Sequence, residues 1–322
     1  MCLYPQLLKN KKYTPTKKNN GIVPDIKDER TRYIPVGCGK CIECLKKKAQ
    51  GWKIRLNEEI RYNNKATFVT LTFNENSLQK LKNELTGIPN NKIENEIATL
   101  AVRRFLERWR KKYKISIKHW LITEKGHKNT ERIHLHGIIW SLDKIEIEKI
   151  WSYGWIFSGE YVNEKTINYI MKYVTKIDLQ HKWFVGKVLT SPGMGKQYIN
   201  REDSKKNVYR KIETNELYTT RTGAKMPIPI YYRNKIYSED EREELWINKL
   251  NEEIRYVCGE KIDVSTPEGE KLYEKTRDYY RNKSKKLGLE PNKTWNDIDY
   301  NKYKEIIKYM TNVMKNPGKN MT

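Results

Sequence analysis

The sequence predicts an α+β fold: strands, two of them in a hairpin, interspersed with helices, preceded by a cysteine-containing segment and followed by a helical C-terminal region. Three observations lead there. Residues 66–73, Ala-Thr-Phe-Val-Thr-Leu-Thr-Phe, alternate β-branched and apolar side chains as a half-buried strand does. Two further apolar runs, Lys118–Glu124 and Ile133–Trp140, flank a polar stretch containing Gly126 and Asn129, the pattern of a hairpin. Elsewhere apolar residues recur at helical spacing among many charges.

In chain order, residues 1–50 form a Pro-, Lys- and Asn-rich segment ending in a cysteine cluster, and a basic helix is expected from Ala49 to about Tyr62. The strand at 66–73 stops at Asn74-Glu75-Asn76. From Ile97 to Tyr113 one helical face carries Val102, Phe105, Leu106, Trp109 and Tyr113, while Arg103, Arg104, Arg108, Arg110, Lys111 and Lys112 occupy the rest. The hairpin follows, then a second apolar stretch and a helix from about Thr166 to Ile177. Residues 51–190 are therefore expected to form the core, and 191–240 a Gly- and Pro-rich extension of irregular structure with short strands. Residues 241–322 are expected to be charged and helical, over Glu241–Tyr256, Pro267–Lys286 and Asn301–Lys315. There is no internal repeat.

With 64 Lys and Arg against 40 Asp and Glu, the chain of 322 residues has a formal charge of +24. Cations set against phosphates release condensed counterions, so this balance predicts a polyanionic partner and salt-dependent binding. No apolar run approaches membrane-span length and the first residues are too polar for a secretory signal. The expected location is the cytoplasm of the cell that makes the protein, with no membrane partner.

Candidate chemistry concentrates in the hairpin. A two-residue spacing in a strand puts His134 and His136 on one face, with Leu135 on the other. Two histidines hydrogen-bonded on a half-buried strand would give the same pattern. Glu124, ending the preceding strand, can approach them as an anionic third ligand, leaving open positions suited to Mg²⁺ or Mn²⁺ acting on a phosphate. On the later helix, Ile167, Ile170, Val174 and Ile177 form an apolar stripe, and Tyr169, Tyr173 and Lys176 a separate one. Such tyrosines are ordinary packing residues or, beside a metal site, nucleophiles.

Cys38, Cys41 and Cys44 recur every three residues, and Cys2 would complete a tetrahedral thiolate set for structural Zn²⁺. Buried thiols are the alternative. Cys258 is expected at a helix end as a small buried residue.

The ordered set of Phe68-Val69-Thr70-Leu71-Thr72-Phe73, then Glu124-Lys125-Gly126, then His134-Leu135-His136-Gly137-Ile138-Ile139-Trp140, then Tyr169 and Tyr173 with their lysines, resembles the three motifs of HUH rolling-circle initiators. More narrowly it resembles the replication initiators of gokushovirus-type microviruses. Met1-Cys2-Leu3, Cys38 to Cys44, Ser191-Pro192-Gly193-Met194-Gly195 and Pro227 to Tyr237 are similar to that group too, so the resemblance covers most of residues 1 to about 250.

The resemblance implies a central antiparallel β-sheet flanked by helices, with the histidine strand at its centre, the metal on its exposed face and the tyrosine helix laid across it. It implies origin DNA as substrate, nicked as a single strand by Tyr169 or Tyr173 to give a 5′-phosphotyrosine link and a free 3′-hydroxyl, and later re-ligation into circles. A free phenol has a pKa of about 10, so the metal and Lys172 or Lys176 are expected to favour the phenolate. Host polymerase is expected to extend the 3′ end. A host helicase is also expected, because the sequence has no Walker-type phosphate loop. The competing classes are a non-catalytic zinc-containing DNA-binding protein and another HUH enzyme, such as a plasmid initiator, relaxase or transposase.

Overall fold

A computed structural model describes residues 2–126, 131–181, 183–291 and 297–315. The hairpin loop expected around Asn129 falls at 127–130, outside the described residues. The chain divides into two compact units: Met1–Lys47 with Lys205–Thr219 and Lys225–Thr322, and Lys48–Ser204 with Thr220–Ala224. It opens with strands β1 (Gln6–Lys9) and β2 (Tyr33–Val36), paired antiparallel. Helix α1 (Ile42–Tyr62) begins in the first unit and ends in the second.

The second unit contains β3 (Thr67–Leu71), α2 (Glu75–Asn83), α3 (Asn90–Tyr113), β4 (His119–Lys125), β5 (Ile133–Ile139), α4 (Lys144–Trp151), β6 (Ile156–Ser158), α5 (Glu164–Thr175) and β7 (Val188–Thr190). Its strands form one antiparallel sheet of order β6-β3-β5-β4-β7, with the histidine strand in the middle. This is the α+β class expected, with the N-terminal cysteine cluster and a largely helical C-terminal region. The sequence pattern identifies β3, the β4–β5 hairpin, α3 and α5. It does not identify α2, α4 or β6; β6 is three residues long and is held by its neighbour.

Strand alternation divides the core of this unit into two layers. Val69, Leu71, Leu121, Leu135 and Ile139 face one side and pack against Ala98, Ala101, Phe105 and Trp109 of α3 and Ile147 and Trp151 of α4. Trp120, Ile122 and Ile138 face the other and pack against Leu56 of α1 and Ile167, Ile170, Met171 and Val174 of α5. A fully buried side chain of this kind contributes roughly 1.5–3 kcal/mol, so each helix is fastened by its apolar stripe. Behind this layer Glu59 of α1 is wholly buried, yet its carboxylate accepts from Lys118 Nζ at 2.6 Å and from the Gly195 backbone N–H at 2.8 Å. The Ser191–Gly195 stretch thus closes the sheet's edge, with the Ser191 hydroxyl 3.0 Å from His119 Nδ1.

The first unit resumes with a β8 (Leu217–Thr219) and β9 (Lys225–Pro227) pair, then α6 (Ile230–Ile236) and α7 (Glu239–Asn251), the latter started by a Ser238–Glu241 capping box. The helix expected to run to Tyr256 stops at Asn251. It is replaced by a hairpin of β10 (Ile254–Val257) and β11 (Glu260–Asp263), turning through Cys258 and Gly259 at φ 52° and 103°. Two consecutive positive φ angles make the tight turn whose twist matches paired strands. Cys258 is therefore a turn residue rather than a helix end. Helices α8 (Pro267–Lys286) and α9 (Asp297–Lys315) complete the described chain. Buried Arg30 anchors this unit through Asp28 at 2.7 Å, Asn251 at 2.9 Å and Thr311 at 2.9 Å. No helix among the described residues is long and apolar enough to cross a membrane.

Gly137, beside His136 at the centre of the sheet, has no room for a side chain: a Cβ there would lie 2.1 Å from the Trp120 carbonyl oxygen and 2.8 Å from Leu121 Cα. Gly137→Ala is expected to destabilise the unit by roughly 3 kcal/mol. Differential scanning calorimetry should show this as a midpoint lowered by roughly 6–12 °C.

Candidate metal centre and tyrosine pair

The register of the hairpin builds the site. Glu124 stands opposite His134 and Ile122 opposite His136. On the other flank of β5, Thr70 of β3 stands opposite His136. All four polar side chains therefore project from the face that packs α5. Oxygen Oε2 of Glu124 lies 2.6 Å from His136 Nε2 and 3.1 Å from His134 Nε2. The three ligand atoms fall within 4.8 Å of one another, so the group could hold a metal ion.

The opposite ring nitrogens fix the orientation. His134 Nδ1–H donates to the Arg132 carbonyl at 3.3 Å, and His136 Nδ1 is hydrogen-bonded to the Thr70 hydroxyl at 2.9 Å. Both imidazoles thus use Nδ1 for the protein and turn Nε2 toward the carboxylate, as ligating histidines do. Burial, opposed by the bond to Glu124 and aided by neighbouring His134, pushes the His136 imidazole pKa down and favours the neutral, ligating form. Burial alone would raise the Glu124 carboxyl, but bonds from His134, His136 and Lys176 hold it well below the usual carboxylate range. The residues present therefore fit a divalent cation: two imidazole nitrogens and one carboxylate oxygen converge.

Helix α5 is started by an Asn163–Thr166 capping box, in which Asn163 Oδ1 accepts from the Thr166 N–H at 3.0 Å. Its apolar stripe fixes its rotation, and this brings Tyr173 onto the site: the Tyr173 ring stacks on His136 with centroids 4.1 Å apart and planes at 11°. The Tyr169 and Tyr173 hydroxyls are 2.8 Å apart. Lys172 Nζ lies 3.6 Å from the centroid of the Tyr169 ring and 5.0 Å from that of Tyr173. The bond from Tyr173 and the Lys172 charge push the Tyr169 phenol pKa down, while burial and the bond to Tyr169 push Tyr173 up. The two share one hydrogen bond, so the first ionisation belongs to the pair.

Lys176 departs from the helical stripe expected for it. Helix α5 ends at Thr175, and Lys176 is an extended C-cap whose ammonium pairs with Glu124 Oε1. The buried carboxylate attracts the ammonium more strongly than a neutral phenol does, so Lys176 steadies the carboxylate rather than a tyrosine. Ile177, expected on the apolar stripe, likewise lies beyond the helix.

The basic residues of α3, whose charge makes them candidates for gripping DNA beside the nick, are elsewhere. This helix packs on the opposite face of the sheet, and most of its charges have partners on that side: Arg104 with Glu84, Arg108 with the Ser152 hydroxyl at 2.6 Å, Arg110 with the Ser116 hydroxyl at 3.3 Å, Lys112 with Glu146 and Arg103 with Glu107 at 3.8 Å. Lys111 is exposed. Sequence reasoning gave no role to Thr70, although its place in an alternating strand opposite the histidines was the signal that could have found it.

In the first unit, Cys2, Cys38, Cys41 and Cys44 converge, their sulfurs all within 4.8 Å. The Cys2–Cys41 and Cys38–Cys44 separations are 3.7 and 4.0 Å. These are far longer than a disulfide and near the edge of about 3.8 Å that a sulfur tetrahedron with metal–sulfur distances of about 2.3 Å requires. Backbone N–H groups of Tyr4 and Cys38 donate to Cys2 Sγ at 3.3 and 3.2 Å, and that of Cys41 donates to Cys38 Sγ at 3.3 Å. Leu3, Val257, Ile262 and Tyr273 pack around the cluster. A group of four sulfurs already stabilised by amide donors could hold a metal ion.

Residues 66–178 match the model of the family described as Replication-associated protein ORF2, a family of phage replication initiators. The match runs from the start of β3 to just beyond α5 and so contains every residue of the carboxylate–histidine–tyrosine site. No curated protein and no solved structure matches the chain.

Replacing Thr70 by Val keeps the strand shape but removes the partner of His136 Nδ1. Isothermal titration with Mn²⁺ should show affinity lowered by roughly 10- to 100-fold, and His136→Ala should abolish the binding.

Proposed function

We propose that the protein initiates rolling-circle replication of a phage genome as an HUH endonuclease and strand transferase. The observation that carries this reading is the stacking of Tyr173, hydrogen-bonded to Tyr169, on a histidine of the Glu124–His134–His136 group. A metal site alone fits many proteins. A hydroxyl pair fixed beside it supplies a nucleophile. The family match over the same residues supports a role in DNA replication.

In the proposed reaction the phenolate oxygen of one tyrosine attacks the scissile phosphorus. The bond from phosphorus to the 3′ oxygen breaks and that oxygen takes up a proton from water, leaving a 3′-hydroxyl and a 5′-phosphotyrosine. One phosphodiester replaces another, so re-ligation by the reverse attack needs no ATP. A Mg²⁺ or Mn²⁺ ion held by Glu124, His134 and His136 would supply Lewis-acid neutralisation of the phosphate charge. Thr70 and the Arg132 carbonyl hold the rings, Lys176 steadies Glu124, and Lys172 stabilises negative charge on the tyrosine pair. The second tyrosine allows another cleavage while the first remains loaded.

The cysteine group is read as a structural Zn²⁺ site, since four thiolates without an open position suit zinc. Basic residues Arg103, Arg104, Arg108, Arg110, Lys111 and Lys112 would meet DNA away from the nick. Host helicase and polymerase complete the assignment, with action in the host cytoplasm on single-stranded and origin DNA. A non-catalytic DNA-binding protein would leave the tyrosine pair without a role.

The test is incubation with Mn²⁺ and labelled single strands covering the origin, with Tyr169→Phe, Tyr173→Phe and the double variant alongside. A metal-dependent covalent adduct lost in the double variant is expected; binding without any adduct would overturn the nuclease assignment. For the cysteine group, elemental analysis of purified protein should give one zinc per chain. Cys38→Ser together with Cys41→Ser should lose the zinc and leave Mn²⁺ affinity intact.

A further inference from the structure

The face that carries the site also carries rings that the proposed chemistry does not use. Trp155 is 62 % exposed and Phe157 48 %, although both are large and apolar. They lie in or beside β6, the edge strand of the sheet. Phe157 stands opposite Thr70, and the Thr72 N–H donates to the Trp155 carbonyl at 3.0 Å, so alternation turns both rings to the side of Thr70 and His136.

From there the rings run without a break into the site. Trp155 and Phe157 have centroids 6.2 Å apart, Phe157 and Phe68 6.4 Å, Phe68 and Tyr169 6.0 Å, and Tyr169 and Tyr173 5.6 Å. The outer end is held firmly. The Thr72 hydroxyl also donates to the Trp155 carbonyl at 2.6 Å. Gly154 lies so close to β3 that a Cβ would stand 2.6 Å from the Thr72 carbonyl oxygen.

Resting on the nicking site proposed above, we propose that Trp155, Phe157 and Phe68 form a stacking platform that holds unpaired bases of the DNA strand and leads its backbone to Tyr169 and Tyr173. Base faces are apolar, planar and free only in a single strand, which suits exposed rings better than any groove of a duplex. Charge complementarity points to the same occupant: exposed Lys172 stands at the inner end of the rings on a chain of net charge +24. The competing occupant is a second copy of the chain pairing along the free edge of β6.

The test uses the full chain without divalent ions, so that binding is read apart from cleavage, by fluorescence anisotropy on a short single strand, the same strand with abasic positions, and its duplex. Trp155→Ala and Phe157→Ala are each expected to weaken single-strand binding by roughly 5- to 100-fold, with duplex binding unchanged. The wild type on the abasic strand should fall to the level of the alanine variants, and the pair Trp155→Phe with Phe157→Tyr should restore binding. Unchanged single-strand affinity, an equal loss on duplex, or loss of a dimer in sedimentation would overturn the platform. The adduct assay separates the two proposals. Weakened single-strand binding in the alanine variants with no adduct from wild type supports the platform while refuting the nuclease; an adduct with unaltered affinity and rate in those variants does the reverse.

Discussion

The pairing register of β4 with β5 is the constraint on which the rest of the site depends. Glu124 opposite His134 fixes both histidines on the side of the carboxylate, because strand side chains alternate with a period of two. A slip of one residue between the two strands would leave Glu124 and the histidines on opposite faces of the sheet. Gly137 contributes to this by allowing the Trp120–Leu121 backbone to approach the central strand, and the buried residues on both faces make the slipped pairing expensive.

The two faces of the sheet then take different tasks. Under α3 and α4 the contact is almost wholly apolar, and the charges of α3 are directed outward and along its own side. Under α1 and α5 the apolar contact covers only part of the sheet; beyond Ile122 and Ile138 the strands carry Glu124, His134 and His136. The bonds from Arg132 and Thr70 to the rings, and from Lys176 to the carboxylate, satisfy these buried polar groups on every side except the one they share. On that shared side both Nε2 atoms meet Glu124 Oε2, so the three ligand atoms converge on one point.

Much of this was legible in the sequence, and the division follows the range of the interactions. The strand alternation around Leu135, the apolar stripe of α5 and the two-residue histidine spacing are local, and the structure brings Glu124, His134 and His136 together as that spacing anticipated. The convergence of Cys2 with Cys38, Cys41 and Cys44 is likewise as the spacing allowed. What was not legible depends on tertiary pairing. Strand β6 exists because β3 offers it hydrogen bonds. Lys176 leaves its helix for a carboxylate far earlier in the chain. Strand β10 reads as the end of a helix because charged residues precede it, although Gly259 between alternating Ile254, Tyr256 and Ile262 was a turn signal. The position of α3 on the far side of the sheet could not be read from its charge.

The two ends of α5 have a mechanical consequence. Its first turn is locked by the Asn163–Thr166 exchange, and the residue after its last turn is tethered to Glu124 through Lys176. Moving an α-helix by one residue rotates its side chains by about 100°, which neither end permits. The helix is therefore a fixed bracket rather than a swinging arm. Any exchange of place between the two phenols must come from rotation about their own side-chain bonds, a local movement that leaves the helix backbone where it is.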